Sequence, residues 1–168
     1  MRIRVITLLT AIVILSLIGC SKTTDETTVQ EKENKNTYQT VKANEEGNVV
    51  IDTTNISKDA TFVNYETADG TIIQFIVVKA SDGSIRTTFN TCQACNPAPK
   101  AYFEQKGDTF VCQNCGNVFR TDQVGIEKGG CNPANIEERE QTDQSVIISA
   151  SYIDQYAGNF STWKGPTQ

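Results

Sequence analysis

Apolar and polar positions divide the chain into three regimes. Val5 to Ile18 is almost wholly apolar. Ser21 to about Glu46 is polar, built from Lys, Thr, Asp, Glu, Asn and Gln, with too little to bury to order itself. From Gly47 onward, short apolar runs recur between turn residues. Asn48–Ile51 reads as a strand and Asn55–Ala60 as a turn. In Thr61–Glu66 the alternation puts Phe62 and Asn64 on one face, Val63 and Tyr65 on the other. Ala68-Asp69-Gly70 is a turn. Thr71–Lys79, with Ile72, Ile73, Phe75, Ile76, Val77 and Val78, has the β-branched and aromatic content of a buried central strand. Ser81-Asp82-Gly83 is another turn, and Ser84–Phe89 a strand that delivers the chain to Cys92. Tyr102–Gln105 and Thr109–Val111, joined at Lys106-Gly107-Asp108, predict a hairpin. Asn117–Arg120 predicts one more strand and Ser145–Ala150 a closing strand. Tyr152, Ile153, Tyr156 and Phe160 have the spacing of a short amphipathic helix. Trp163 is expected to pin the tail to the domain. The pattern predicts a mostly β fold, a small antiparallel β sandwich or barrel with a short C-terminal helix.

The first regime reads as a leader. Arg2 and Arg4 precede the apolar run, and Leu17-Ile18-Gly19-Cys20 ends it. The run is short for a membrane span, and a simple anchor leaves the terminal Gly-Cys unexplained. The segment resembles a bacterial lipoprotein signal. That resemblance implies lipidation of Cys20 as the first mature residue and a body held at the extracytoplasmic face of a bacterial cell membrane. The expected organisation is a signal over residues 1–20, a flexible tether over 21–46 and one cysteine-rich domain over 47–168.

Charge and composition remove several functions. The 168 residues carry 15 Lys+Arg against 20 Asp+Glu, a net charge of −5. Without Arg2 and Arg4 the balance is 13 against 20, or −7. No Lys/Arg cluster suits a phosphate backbone, so nucleic acid is not an expected partner. The chain has no histidine. That excludes a Ser-His or Cys-His nucleophile pair, haem attachment through Cys-x-x-Cys-His, and every His-ligated metal. With no convincing nucleophile motif either, a metal-binding or redox-carrying role is expected rather than hydrolysis.

The remaining chemistry lies in Thr91–Pro133. Cys92-x-x-Cys95 and Cys112-x-x-Cys115 are joined by a modest loop, and Gly129-Gly130-Cys131-Asn132-Pro133 follows. A Cys-x-x-Cys turn brings two sulfurs to one ion. Gly116 supplies the conformation that lets backbone amides point back at them. Two such knuckles have zinc-ribbon spacing. Four sulfurs suit Zn²⁺, a single iron, an iron–sulfur cluster or Cu(I). A disulfide framework is the alternative in an oxidising space, although five body cysteines cannot all pair within one chain. Thiol–disulfide exchange lacks a βαβ context here. Cys131 is open to several readings: cluster ligand, bridging ligand, disulfide partner or buried bystander.

The series Asp82-Gly83-Ser84-Ile85-Arg86, Cys92-Gln93-Ala94-Cys95, Asp108-Thr109-Phe110-Val111-Cys112-Gln113-Asn114-Cys115-Gly116 and Gly129-Gly130-Cys131-Asn132-Pro133 resembles the FtrD-like family of predicted membrane iron–sulfur proteins. The likeness covers roughly Asn48 to Phe160. It implies a bacterial envelope protein associated with ferrous-iron uptake, with iron-transport or redox proteins of the envelope as partners. It further implies an electron-transfer iron–sulfur centre and places Cys92, Cys95, Cys112, Cys115 and Cys131 at the family's motif positions. Many relatives carry several transmembrane helices, where this chain has only the lipoprotein-like leader, so an identical complex is not implied. The order of strand, thiol pair, hairpin, second pair, Gly/Pro loop and closing strand also resembles a Rieske domain, with Cys at both His positions. An all-thiolate centre in that layout implies a lower potential than His₂Cys₂ ligation. A non-redox Zn²⁺ or Cu(I) module or chaperone, or a disulfide-stapled binding lipoprotein, is the alternative.

Overall fold

In a computed structural model, residues 35–168 are described. Cys20 and most of the expected tether lie outside them. A five-stranded sheet forms the centre, in the order β1-β3-β4-β5-β9. Its strands are β1 (Thr37–Val41), β3 (Thr61–Glu66), β4 (Ile72–Lys79), β5 (Ile85–Cys92) and β9 (Pro133–Asn135). A three-stranded sheet of β2 (Asn48–Asp52), β10 (Glu140–Gln141) and β11 (Ser145–Ser149) shares one apolar core with it. A second three-stranded sheet, β6 (Phe103–Lys106), β7 (Thr109–Cys112) and β8 (Val118–Arg120), shares another. Two short helices close the chain, α1 (Ala150–Asp154) and α2 (Ala157–Phe160).

The alternation along β3 and β4 explains this layering. Val63, Tyr65, Ile73, Phe75 and Val77 point to one face, where they meet Val49, Ile51, Val146 and Ile148 and the helix residues Tyr152, Ile153 and Phe160. Phe62, Ile76 and Val78 point to the other, onto Phe103, Phe110 and Phe119. A sheet covered on both faces favours continuous apolar strands, and β4 is apolar from Ile72 to Val78 except at Gln74. The predicted strands appear with ends moved by a residue or two, except that β5 continues to Cys92 itself.

Three features depart from the expectation. The stretch read as tether contains β1, which pairs with β3 in parallel, Tyr38 opposite Phe62. Tyr38 stacks on Phe62 at 5.2 Å. The single C-terminal helix is two, separated at Gln155-Tyr156. β9 and β10 were not expected; β9 is an edge strand that begins with proline, where the missing N–H costs least.

The face that carries the cysteines also carries a buried amide ladder. Gln74, Asn64 and Asn90 are at most 2% exposed. Gln74 Nε2 donates to Asn64 Oδ1 at 2.8 Å, and Asn90 Nδ2 donates to Gln74 Oε1 at 2.7 Å. Phe103 N donates to Asn90 Oδ1 at 2.7 Å, which fastens the outer hairpin to β5. The tail completes the ladder: Pro166 O accepts from Gln74 and Thr167 O from Asn64, at 2.7 and 3.0 Å. Trp163 Nε1 donates to Asn90 O at 3.0 Å, and its ring meets Tyr102 and Phe160. The tryptophan is a staple, as its position suggested.

Replacing Asn90 by Ala orphans Gln74 Oε1 and Phe103 N–H in a dry interior. A stability loss of about 3 kcal/mol is expected from urea denaturation. A loss below about 1 kcal/mol would mean that the ladder is not what holds the hairpin.

Candidate metal centre

Each thiol pair sits where a strand stops. Cys92 ends β5 and Cys112 ends β7. Cys92 N donates to Ala101 O at 2.9 Å and Gln113 N to Tyr102 O at 2.8 Å, so adjacent carbonyls hold the two turns side by side. Within the first turn, Cys95 N and Asn96 N donate to Cys92 O at 3.1 and 2.9 Å. Asn96 Nδ2 donates to the same carbonyl at 3.1 Å. Within the second, Gly116 N donates to Cys112 O at 2.9 Å and Cys112 N to Asn117 O at 2.9 Å. Gly116 has φ +74°, which a side chain resists.

Both turns aim backbone amides at sulfur. Ala94 and Cys95 N–H meet the Cys92 sulfur. Asn114 and Cys115 N–H meet that of Cys112, and Asn117 N–H meets that of Cys115. Such bonds stabilise thiolate over thiol.

The outcome is a cage. The Sγ atoms of Cys92, Cys95, Cys112 and Cys115 lie within 4.8 Å of one another. Cys92 and Cys112 are fully buried against Phe103 and Phe110, Cys95 is half-buried and Cys115 exposed. All five cysteines of the described residues are free thiols. Burial pushes the Cys92 and Cys112 thiols up. Burial acts upward on Cys115 as well, but the Asn117 amide and the thiols of Cys112, Cys95 and Cys131 outweigh it, bringing Cys115 down to about 7.

Cys131 stands outside the set of four. The Cys115 sulfur, through hydrogen bonding and its charge, pushes the Cys131 thiol up. β9 brings it there, because Pro133 pairs with Cys92 across a bulge in β5. Two residues with no prior signal hold its loop. Gln93 Nε2 donates to Pro133 O at 2.8 Å, Gly129 N to Gln93 Oε1 at 3.3 Å, and Gln93 N to Asn132 O at 2.9 Å. Asn117 Nδ2 donates to Cys131 O at 3.1 Å. Only their positions, inside and just after the Cys-x-x-Cys motifs, could have singled them out.

The FtrD-like family, described as membrane iron-sulfur containing proteins, matches residues 56–160, more than half of the chain. The chain belongs to the FtrD-like family. The match spans all five cysteines of the domain. No curated protein and no solved structure matches the chain. Among the described residues, no helix is long and apolar enough to cross a membrane.

In the metal-free protein the thiolate fraction of Cys115 should rise with pH through about 7. Iodoacetamide at neutral pH should therefore label Cys115 more than about tenfold faster than Cys92. Equal rates, read by peptide mass spectrometry, would contradict the division into buried and outward sulfurs.

Proposed function

We propose that this chain is a lipid-anchored, extracytoplasmic iron protein that carries single electrons in the uptake of ferrous iron. Cys92, Cys95, Cys112 and Cys115 would hold the iron. The reading is carried by the four sulfurs within 4.8 Å of one another, in a member of a family described as iron-sulfur containing.

The residues fit such a centre. A tetrahedral ion bound at about 2.3 Å holds its sulfurs about 3.8 Å apart. The observed spread, at most 4.8 Å, needs only a small contraction. That compactness favours a single iron over a cluster, whose thiolates enclose more than one ion. It equally admits Zn²⁺ or Cu(I), and a non-redox metal-binding module is the second reading. The donor set is wholly soft, with no imidazole in the chain.

Bound iron would supply a one-electron couple. The chain does the rest. The phenyl rings around Cys92 and Cys112 exclude water from the inner side. The N–H···S bonds spread thiolate charge onto the backbone and tune the potential. Cys115, the exposed sulfur, is the edge from which an electron would pass to a partner.

The full-length chain, purified without oxygen in detergent, should contain stoichiometric iron and a visible charge-transfer band that dithionite bleaches. Iron without acid-labile sulfide identifies the single ion, and iron with sulfide a cluster. Zinc or copper with no band would replace electron transfer by metal binding. A chain with none of these metals would end both readings.

The anchor is tested separately. Cys20→Ser should move the protein from the membrane to the soluble fraction of cells and remove the acyl mass from its N-terminal peptide. Retention in the membrane without that mass would rule out the lipid.

A further inference from the structure

Three loops meet on the outward side of the cage, and none of them carries a charge. The two knuckles and the Cys131 loop are tied together: Gln93 N donates to Asn132 O at 2.9 Å, Gly129 N to Gln93 Oε1 at 3.3 Å and Asn117 Nδ2 to Cys131 O at 3.1 Å. Residues 91–99, 110–119 and 129–136, which form these loops and their roots, include no Asp, Glu, Lys or Arg. Residues 35–168 hold 11 Lys+Arg and 16 Asp+Glu, a density at which about five charges would fall in those segments. Charge returns at their borders, at Lys100, Arg120 and Lys128, and Lys128 is drawn to Glu137 at 2.9 Å. Much of the uncharged rim faces solvent. Ala94, Asn114, Gly116 and Gly130 are exposed, and Val118 is 55% exposed. The exposed Cys115 lies among them. Solvation alone gives an acidic chain no reason to shed charge at one place. The core of a protein–protein contact does, because a charge pressed into it without a counter-charge loses its water.

We propose that this rim is the docking face for a redox protein whose own metal edge is ringed by uncharged residues. The inference rests on the electron-carrying reading above and names the kind of partner that reading requires. Charge complementarity selects it. A partner ringed by Lys, or by Asp and Glu, would bury those charges against a face that offers none in return. An uncharged partner loses little on contact, and the Cys115 sulfur then lies within the contact. One electron passes from the bound iron to the partner's metal, which is reduced as the iron is oxidised. No bond breaks and no proton moves. Contacts of this class are small and short-lived.

The test is an NMR titration of the full-length, zinc-loaded chain in detergent, so that binding is read without electron transfer. The two probes are a blue-copper protein whose copper edge is ringed by uncharged residues and a cytochrome c whose haem edge is ringed by lysines. The blue-copper probe should shift the amides of residues 93–96, 113–118 and 129–132, with an affinity that changes less than about twofold between low and high salt. Val118→Lys and Val118→Glu should each weaken it about tenfold. Val118→Thr, and Val50→Glu on the exposed side of β2, should leave it unchanged. Shifts that are absent or confined to other faces would overturn the docking face. Tighter binding by either charged Val118 variant would overturn the uncharged match. So would a cytochrome that binds the rim more tightly and is released by salt. Rim binding by a chain whose iron-loaded form shows no reducible band would instead refute electron carrying alone, and a chain that takes up no zinc would refute the metal site and this inference with it.

Discussion

One hydrogen-bonded contact fixes the geometry on which the centre depends. Asn90, buried in β5, accepts from Phe103 N and donates to Gln74 Oε1. Phe103 stands opposite Cys112 in the hairpin, and Asn90 lies two residues before Cys92. The side-chain amide, together with the bonds from Cys92 N to Ala101 O and from Gln113 N to Tyr102 O, therefore sets how far the end of β5 is from the end of β7, and these ends carry the buried sulfur of each pair. Apolar packing alone would permit the hairpin to slide. An amide with both ends engaged permits one position, because any shift leaves a buried donor or acceptor unpaired. The tail strengthens this, since Trp163 binds the Asn90 carbonyl and Pro166 and Thr167 satisfy the remaining amides.

The second constraint is electrostatic. Four thiolates in one small volume would repel each other, and the chain has no histidine to dilute their charge. Part of the answer is local: five backbone N–H groups are aimed at three of the sulfurs. In the proposed metal site a cation would supply the rest. Burial raises the inner Cys92 and Cys112 thiols, while at the exposed Cys115 the Asn117 amide and the neighbouring thiols outweigh burial and lower it, so the two sides of the cage differ electrostatically.

The sequence pattern exposed what depends on local periodicity. The apolar run of β4, the alternation of β3 and the hairpin of β6 and β7 are all legible, because each residue's environment follows from its own neighbours. The two thiol pairs are legible for the same reason. β1 is not: Thr-Tyr-Gln-Thr-Val has little apolar content, and only a parallel partner twenty-odd residues away makes it a strand. β9 is three residues long and begins with proline, which argues locally against a strand. The role of Asn90 is invisible for a related reason, since an amide in a β-strand reads as surface until its partners are known.

The failure to read β9 is also what left Cys131 unplaced. Two knuckles explain four sulfurs without any help from outside their own turns. The fifth reaches them only through long-range pairing of Pro133 with Cys92, and through a glutamine in the middle of the first knuckle. Gln93 could have been any residue that tolerates a turn, yet it spends its backbone amide and both ends of its side chain on the Cys131 loop. A spare thiol on an unrelated loop would not require such fastening. The fastening shows that the position of Cys131, and not merely its presence, is built into the fold.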